Sequence, residues 1–445
     1  MPMSTYRHRT VATIALAGAL TLFLASCGSD DDSGSGDSDV DLEATLDEGG
    51  SLTVWAWEPT LDQVVDDFEA EYPEVEVDLV NAGTGDEHYT ALNNAISAGS
   101  GVPDAAQIEY FALPEYALQE YVTDLTEFGA EELEGTFTPG PWGSVHQGDA
   151  IYGLPMDSGP MAMFYNQEVF DTYDVEVPAT WDEYIDAARA LQEADPNVYI
   201  GSDAGDAGFT TSILWQAGAH PYQVDGTDVT IDFTGEETTR FAETWQQLID
   251  EDLVSDIPGW TDEWYQGLAD GTIATLNTGA WMPANLESGV SAASGDWRVA
   301  PLPQWEEGGT ASAENGGSSL AVPEASENKA LAYAFIEYAN AGDGVQTRLD
   351  QGAFPATSAH LESEEFLSRE FEYFGGQQAN EIFAESAANV VEGWTYLPFQ
   401  VYANSIFNDT VGQAYISGTT LNEGLLAWQD ASITYGEDQG FTMNQ

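Results

Sequence analysis

The side chains of this sequence that could do chemistry are its carboxylates, its few histidines and its many aromatic rings. After residue 26 the histidines are His88, His146, His220 and His360, and none lies at metal-ligand spacing from another. The motifs of serine hydrolases, phosphate-binding loops, zinc peptidases and dinucleotide-binding enzymes are absent from the sequence. We therefore predict no catalytic residue, no resident metal and no cofactor. So acidic a chain leaves calcium binding open, although no loop has EF-hand spacing.

Paired carboxylates are the usual catalytic groups of glycosidases, because one acid and one base or nucleophile must flank the sugar bond. Here 78 of 445 residues are acidic, so close carboxylate pairs arise everywhere by chance. Such pairs do not favour a glycosidase. A carbohydrate-active enzyme tethered to the cell surface therefore stays open only as an alternative function.

The aromatic residues are more informative, with 13 tryptophans and 20 tyrosines. The flat face of an indole matches the C–H face of a pyranose, while neighbouring acids and amides bond the sugar hydroxyls. The alternative is that these rings belong to the core; Trp55 and Trp57 alternate along one strand, so one of them could pack inward. Seven tryptophans lie in stretches that predict exposed loops: Trp55, Trp57, Trp142, Trp215, Trp264, Trp281 and Trp394.

The N-terminus predicts export. A positively charged start precedes an apolar run over 11–25, which has the length of a signal-peptide core and is too short for a membrane span. The run ends in LASC, residues 24–27, which resembles a bacterial lipobox. We expect residues 1–26 to be a lipoprotein signal peptide. The only cysteine, Cys27, would carry a lipid anchor that holds the protein at the extracytoplasmic face of the cell membrane. The alternative is an ordinary secretory signal with an incidental cysteine.

The charge of the chain limits which partners it can bind. The formal net charge is −70, with 8 basic residues and a single lysine, Lys329. Such a surface repels phosphate backbones, which excludes nucleic acid. It also repels itself in dilute buffer, whereas about 1 M salt shortens the screening length to roughly 3 Å. The composition is similar to that of halophilic proteins, and we predict adaptation to brine rather than a basic binding partner.

The segments that must position the aromatic and acidic side chains alternate between strand and helix. Residues 27–50 are rich in Gly, Ser, Asp and Glu and predict a flexible acidic tether. Thr180 and Glu183 have the spacing of a helix capping box. The alternation indicates an α/β fold with a largely parallel sheet, and the chain length favours two lobes. The predicted strands cover 52–57, 75–80, 104–110, 151–156 and 161–166, and the predicted helices cover 60–73, 87–99, 113–122, 180–195, 238–253 and 328–340.

Several stretches, taken in their order and spacing, resemble one known family. They are LTVWAWEP (52–59), GVPDAAQIEYFALPEYALQEYVTDLTEF (101–128), IYGLPMDSGPMAMFYNQEVFD (151–171) with PATWDEY (178–184), GTIATLNTGAWMPANLE (271–287), VAPLPQW (299–305) with NGGSSLAVPEASENKALAYAFIEY (315–338), and YFGGQQANEIFAE (373–385) with GWTYLPFQVYANSIF (393–407). In these stretches the chain is similar to the extracellular solute-binding proteins of carbohydrate-uptake ABC transporters, the group that contains the maltose-binding protein.

The resemblance implies an α/β, two-lobed periplasmic-binding-protein-like fold of type II, with the ligand cleft between the lobes. The first lobe would comprise residues 51–157 plus about 318–357. The second would comprise residues 158–317 plus about 358–445.

The resemblance also implies a ligand site, position by position. Trp281, in the loop after the GTIATL strand, resembles the sugar-stacking tryptophan of the family. Asp157 matches a carboxylate that holds sugar hydroxyls at the first crossing between lobes, or else it only caps a turn. Gly316 and Gly317 match the hinge, or form only a turn. The other ligand-binding residues that the resemblance implies are Trp57, Glu58, Glu109, Tyr110, Ser158, Trp215, Gln216, Trp264, Gln377 and Trp394.

Together these features predict a lipoprotein that captures a neutral mono- or oligosaccharide by closure of two lobes. The ligand would then pass to the permease subunits of an ABC importer. The scarcity of basic residues argues against a phosphorylated or polyanionic sugar. We expect a monomer. The identity of the sugar, and a role in transport as opposed to ligand sensing, stay open at the level of sequence.

Overall fold

The computed structural model describes residues 40–444, in which strands and helices alternate as predicted. Glu183 N donates to Thr180 Oγ1 at 3.2 Å, so the predicted capping box is confirmed. The predicted strand over 151–156 is split into two short strands. The strands are β1 Gly50–Trp55, β2 Val75–Val80, β3 Ala105–Glu109, β4 His146–Gln147, β5 Ala150–Ile151, β6 Leu154–Pro155, β7 Met161–Asn166, β8 Gly201–Ser202, β9 Tyr222–Asp225, β10 Asp228–Ile231, β11 Val254–Ser255, β12 Thr275–Gly279, β13 Trp297–Pro301, β14 Ser318–Ala321 and β15 Thr442–Asn444.

Helices separate most of the strands along the described chain. Short 3-10 turns occur at Leu125–Phe128, Ala130–Leu133, Ser291–Ala293 and Glu372–Phe374. The α-helices are α1 Leu42–Glu48, α2 Leu61–Glu71, α3 Asp86–Ala98, α4 Leu113–Leu118, α5 Pro139–Ser144, α6 Gln167–Tyr173, α7 Trp181–Ala194, α8 Ala207–Gln216, α9 Glu236–Asp250, α10 Asp262–Asp270, α11 Met282–Gly289, α12 Lys329–Asn340, α13 Gly344–Asp350, α14 Ser358–Leu361, α15 Glu364–Leu367, α16 Ala379–Ala388, α17 Gln400–Ser405, α18 Gln413–Ile416 and α19 Leu421–Gln439.

The two larger sheets differ in strand direction. The first has the order β2-β1-β3-β14-β6, and β1 runs parallel to β2 and β3, whereas β14 is antiparallel to β3 and β6. The second has the order β12-β7-β13 and is antiparallel throughout. Within these two larger sheets, the expected parallel pairing therefore occurs only around β1. In the smaller sheets, β10 runs parallel to β15 and β11 runs parallel to β8. The alternation of strands and helices does not determine whether two strands pair parallel or antiparallel when several helices separate them in the sequence, as between β7 and β12.

Separate apolar cores support the two lobes of the fold. Buried residues of the core under the first sheet come from 52–156 and 320–339, and those of the other two cores come from 161–428. Helix α2 illustrates the pattern, since it buries Leu61, Val64, Val65 and Phe68 on one face. The chain crosses between the lobes at isolated bridges that pair Asp157 with Pro355 and Pro160 with Glu314.

The last part of the predicted tether is helical. Helix α1 begins after Asp41, whose carboxylate accepts from Ala44 N at 3.0 Å. Leu42 and Leu46, one turn apart, pack against the core of the first lobe, where α1 contacts α12. These two leucines give the acidic segment an apolar stripe, so a helix precedes the predicted strand. Cys27 and the predicted signal peptide over 1–26 lie outside the described residues.

Within residues 40–444, no helix combines the length and apolar character needed to cross a membrane.

Candidate ligand-binding site

A cavity of about 760 Å³ lies where the two lobes meet, a volume typical of small-molecule sites. Glu109, the last residue of β3, and Phe111 line it from the first lobe, and Gly316 and Gly317 line it from a crossing segment. The second lobe supplies most of the rest. Among the described residues that line the cavity, none is Lys, Arg or His. The site therefore has no cation with which to hold a phosphate or carboxylate.

Three tryptophans, Trp260, Trp264 and Trp281, form one wall of the cavity, and we call them the tryptophan array. The ring centroid of Trp260 lies 5.8 Å from that of Trp281 with the planes 26° apart, and 5.3 Å from that of Trp264. Trp264 is buried, Trp281 is half-buried and Trp260 is exposed. The rings thus lead from the core of the second lobe out to the rim of the cavity.

The Trp281 ring is seated on the backbone of a crossing segment. Its Nε1 donates to Asn315 O at 2.6 Å. A Cβ on Gly279 would collide with the indole nitrogen and lie 2.7 Å from Asn315 O, and a Cβ on Gly316 would lie 3.2 Å from that nitrogen. Glycine at 279 is therefore required for the indole to approach the crossing this closely.

A hydrogen-bonded relay fixes the polar wall beside the array. Thr275 Oγ1 donates to Ile200 O at 2.6 Å and therefore accepts from Tyr184 OH at 2.8 Å. Tyr184 OH also accepts from Asn277 Nδ2 at 3.3 Å. The amide oxygen of Asn277 therefore takes no part in the relay. That oxygen is buried and has no partner within residues 40–444. An unused acceptor of this kind costs about 1–3 kcal/mol, and a hydroxyl donor would satisfy it.

Two of the three carboxylates that line the cavity hold the protein together. Asp203 Oδ2 accepts from Trp245 Nε1 at 2.8 Å and from Tyr415 OH at 2.7 Å, which ties the cavity loop to α9 and α18. Burial raises the pKa of Asp203, although these donors oppose the rise. Asp206 caps α8, since its carboxylate accepts from Phe209 N at 2.6 Å.

The third cavity carboxylate, Glu109, belongs to the first lobe. Its Oε2 accepts from Tyr89 OH at 3.1 Å. The neighbouring Tyr110 is buried and does not line the cavity; its hydroxyl donates to Asp157 O at 2.7 Å.

A buried glutamate links two crossing segments. Glu314 accepts from Ser158 Oγ at 2.9 and 3.0 Å and from Gly159 N at 2.5 Å. Burial raises the pKa of Glu314 to about 7, against the lowering effect of the bonds from Gly159 and Ser158. The Ser158 hydroxyl is therefore engaged by this carboxylate in the structure.

Asp157 lies next to the same junction. Its Oδ1 accepts from Ser318 N at 2.6 Å. Burial raises the pKa of Asp157 to about 6, and the charge of the buried Arg348 opposes that rise. Arg348 is itself held by donation to Met156 O. The Asp157 carboxylate thus joins the first crossing to the start of β14.

Other predicted site residues lie outside the cavity lining and have structural partners. Trp57 N and Glu58 N both donate to Gln107 Oε1, at 3.0 and 3.1 Å, and the Trp57 ring meets His88 edge-on at 4.9 Å. The Glu58 carboxylate accepts from Thr60 Oγ1 at 2.8 Å at the start of α2.

Other predicted residues of the second lobe do not line the cavity and instead pack against the rest of that lobe. Trp215 is buried and stacks on Trp394, with centroids 5.1 Å apart. Gln216 is buried and accepts from Trp181 Nε1 at 3.0 Å. Gln377 bonds both backbone polar groups of Val299, at 2.8 and 2.7 Å, and so holds β13.

The structure thus brings five predicted residues together around the cavity: Glu109, Trp264, Trp281, Gly316 and Gly317. Sequence reasoning missed Trp260, Asn277, Asp203 and Tyr396, which also line it. For Trp260 a signal existed, since Pro258 and Gly259 predict a turn that exposes the next side chain. In the part of the chain described, no group of three or more His, Cys, Asp or Glu residues is arranged to hold a metal ion.

Comparison with known proteins agrees with this architecture. An arabinooligosaccharide-binding protein of Halalkalibacterium halodurans is 27% identical over 291 residues, which cover 63% of this chain and 64% of that relative. A binding protein associated with an ABC transporter of B. animalis subsp. lactis, solved with β-1,6-galactobiose, is 46% identical with a TM-score of 0.79, covering 89% of this chain and 99% of that one.

A galacto-N-biose/lacto-N-biose I-binding protein of Bifidobacterium longum, solved with lacto-N-biose, is 25% identical with a TM-score of 0.78 and the same coverage of 89% and 99%. These neighbours confirm the two-lobed α/β fold. The sequence profile of the bacterial extracellular solute-binding proteins matches residues 56–344, well over half of the chain. The chain therefore belongs to the bacterial extracellular solute-binding protein family.

Proposed function

We propose that this chain captures a short, neutral oligosaccharide in the cavity between its lobes. The chain is the substrate-binding protein of an ABC importer, a function supported by its family and by its sugar-binding relatives. The observation that carries the substrate class is the tryptophan array beside amide and carboxylate groups, in a cavity whose described lining has no basic side chain. Galactose-containing disaccharides are the first candidates, because the relative at 46% identity was solved with β-1,6-galactobiose.

The affinity of such a site requires several contacts. Burying about 100 Å² of apolar area on one indole contributes roughly 2.5 kcal/mol, and each good hydrogen bond adds about 1 kcal/mol. Micromolar binding needs about 8 kcal/mol net of ordering costs. One tryptophan is not sufficient, whereas the tryptophan array with several polar partners is.

The finer features of the predicted function belong to the same proposal. Cys27 would anchor the mature protein by lipid to the extracytoplasmic face of the membrane, which mass spectrometry of the mature N-terminus tests. The protein would act as a monomer in brine and would bind its sugar without cleaving it. The acidic composition supports the brine environment.

A thermal-shift screen of mono- and oligosaccharides in molar salt tests the proposal. We expect at least one neutral sugar to raise the unfolding temperature, and Trp281→Ala to weaken its binding tenfold or more, because the indole face is lost. Trp142→Ala is the matched control, since Trp142 is half-buried and outside the cavity lining. Absence of any sugar-induced shift would contradict the proposal, and so would formation of cleaved product.

A further inference from the structure

Trp260 adopts a backbone conformation that tryptophan rarely takes. Its φ is +66°, in the left-handed region where a Cβ crowds the backbone. Within residues 40–444 the other non-glycine residues with positive φ are acids: Glu120, Asp174 and Asp252. Glycine would fit this position without strain, and Gly259 stands immediately before it.

Trp260 is also the most exposed of the tryptophans that line the cavity. It is 57% exposed and lies in the loop between β11 and α10. The loop geometry is fixed locally, because Thr261 Oγ1 donates to Pro258 O at 2.9 Å and accepts from Trp264 N at 3.2 Å. Core packing does not account for an exposed indole on a strained backbone. Strain of this kind is concentrated at functional sites.

The neighbours of Trp260 show which site it serves. Its ring centroid lies 5.8 Å from that of Trp281, with the ring planes 26° apart. The centroid of Tyr265 lies 6.5 Å from that of Trp260, with the planes 68° apart. The left-handed turn therefore extends the aromatic wall beyond Trp281, from the interior of the cavity to its rim. One sugar ring can cover one indole face, whereas a second, linked ring is needed to cover the next.

We propose that Trp260 is an outer stacking platform that selects oligosaccharides over monosaccharides. This inference rests on the proposed function. The inner sugar ring would contact Trp281, and the ring linked to it would contact Trp260 at the rim. Trp260 would thus contribute to affinity only for ligands of two or more units.

Titration calorimetry in molar salt with galactose and with β-1,6-galactobiose tests the inference. We expect Trp260→Gly to lower the ratio of disaccharide to monosaccharide affinity about tenfold, while the unfolding temperature stays equal or rises because the strain at this position is removed. Trp260→Phe should keep most of the ratio, because it retains an aromatic face. Trp281→Ala should weaken both sugars, and Trp142→Ala should leave the ratio unchanged.

The outcomes separate the two proposals. If the wild-type protein binds the disaccharide and Trp260→Gly leaves the ratio unchanged, the inference alone is overturned. An equal loss for both sugars also overturns it. If the wild-type protein binds neither these sugars nor any other neutral sugar, the proposed function falls and the inference falls with it.

Discussion

Glu314 is a buried carboxyl whose titration should be visible in the stability of the whole protein. The folded structure raises its pKa from 4.5 to about 7, so between these pH values the native state holds a proton that the unfolded state has released. Its contribution to stability is complete below pH 4.5 and is lost as the pH rises through 7. Asp157, with its pKa raised to about 6, acts in the same direction.

We therefore predict that Glu314→Gln flattens the pH dependence of unfolding between pH 4.5 and 7. The neutral amide does not ionise, and the difference from wild type should reach about 3 kcal/mol across that range. Denaturant unfolding at several pH values in constant molar salt measures it. Glu306→Gln is the control, because Glu306 is exposed; it should retain the wild-type slope. An unchanged slope for Glu314→Gln would show that this carboxyl ionises normally.

Single residues of the site were only partly predictable from the sequence. Trp281 was assigned to the cleft because its surroundings resemble a known family, and it lines the cavity in the structure. The burial of Trp215 and Gln216 was not visible, because a tryptophan in a polar stretch has the same sequence whether its ring faces a cleft or a core. Trp260 was missed although Pro258 and Gly259 predict a turn before it; its positive φ depends on the loop around it rather than on residue type.

At the scale of elements, the crossing segment before β14 depends on glycine geometry. Gly317 has φ +100°, and a Cβ there would lie 2.5 Å from Tyr110 Cε2. Gly295 has φ +97°, but a Cβ there would meet no atom within 4 Å. Alanine at position 295 would therefore introduce backbone strain alone, whereas alanine at position 317 would introduce backbone strain and steric overlap.

We predict that Gly317→Ala destabilises the protein more than Gly295→Ala does. Both substitutions add roughly 1–2 kcal/mol of left-handed strain, and overlap with Tyr110 adds about 1–3 kcal/mol at position 317 alone. Urea unfolding of both variants in molar salt gives the comparison. Equal losses would mean that the tyrosine ring moves aside without cost.

The elements themselves were largely predictable, because hydrophobic periodicity and capping are local. The helix after Thr180 and the strand over 75–80 are examples. Strand direction in the β12-β7-β13 sheet was not predictable from the sequence, because it depends on how distant segments pair. Helix α1 was overlooked because its acidic composition outweighed the spacing of Leu42 and Leu46.

At the scale of the whole molecule, net charge dominates. Within the described part of the chain, Arg189 pairs with Glu251 at 2.6 Å and Lys329 pairs with Glu324 at 2.6 Å, while the other acids vastly outnumber their possible partners. Such exposed pairs contribute little to stability. Repulsion among carboxylates therefore remains mostly uncompensated unless salt screens it.

We predict that the unfolding temperature rises steeply as NaCl increases from about 0.1 M to about 1 M, where the Debye length falls from about 10 Å to about 3 Å. Thermal unfolding across a salt series at fixed pH provides the measurement. Full stability in dilute buffer would contradict adaptation to brine. Sugar titrations should accordingly be made in molar salt, so that loss of fold is not mistaken for loss of binding.

Helix α1 also bears on how the molecule would move at a membrane. Leu42 and Leu46 pack α1 against the first lobe, so the N-terminal end of the described chain lies on that lobe. If Cys27 is the lipid attachment point, the chain segment between Cys27 and Asp41 can span at most about 50 Å. The first lobe would then be tethered to the membrane directly, and the second lobe only through the first. During lobe closure, a permease beside the anchor would contact a first lobe of restricted position and a second lobe that moves relative to it.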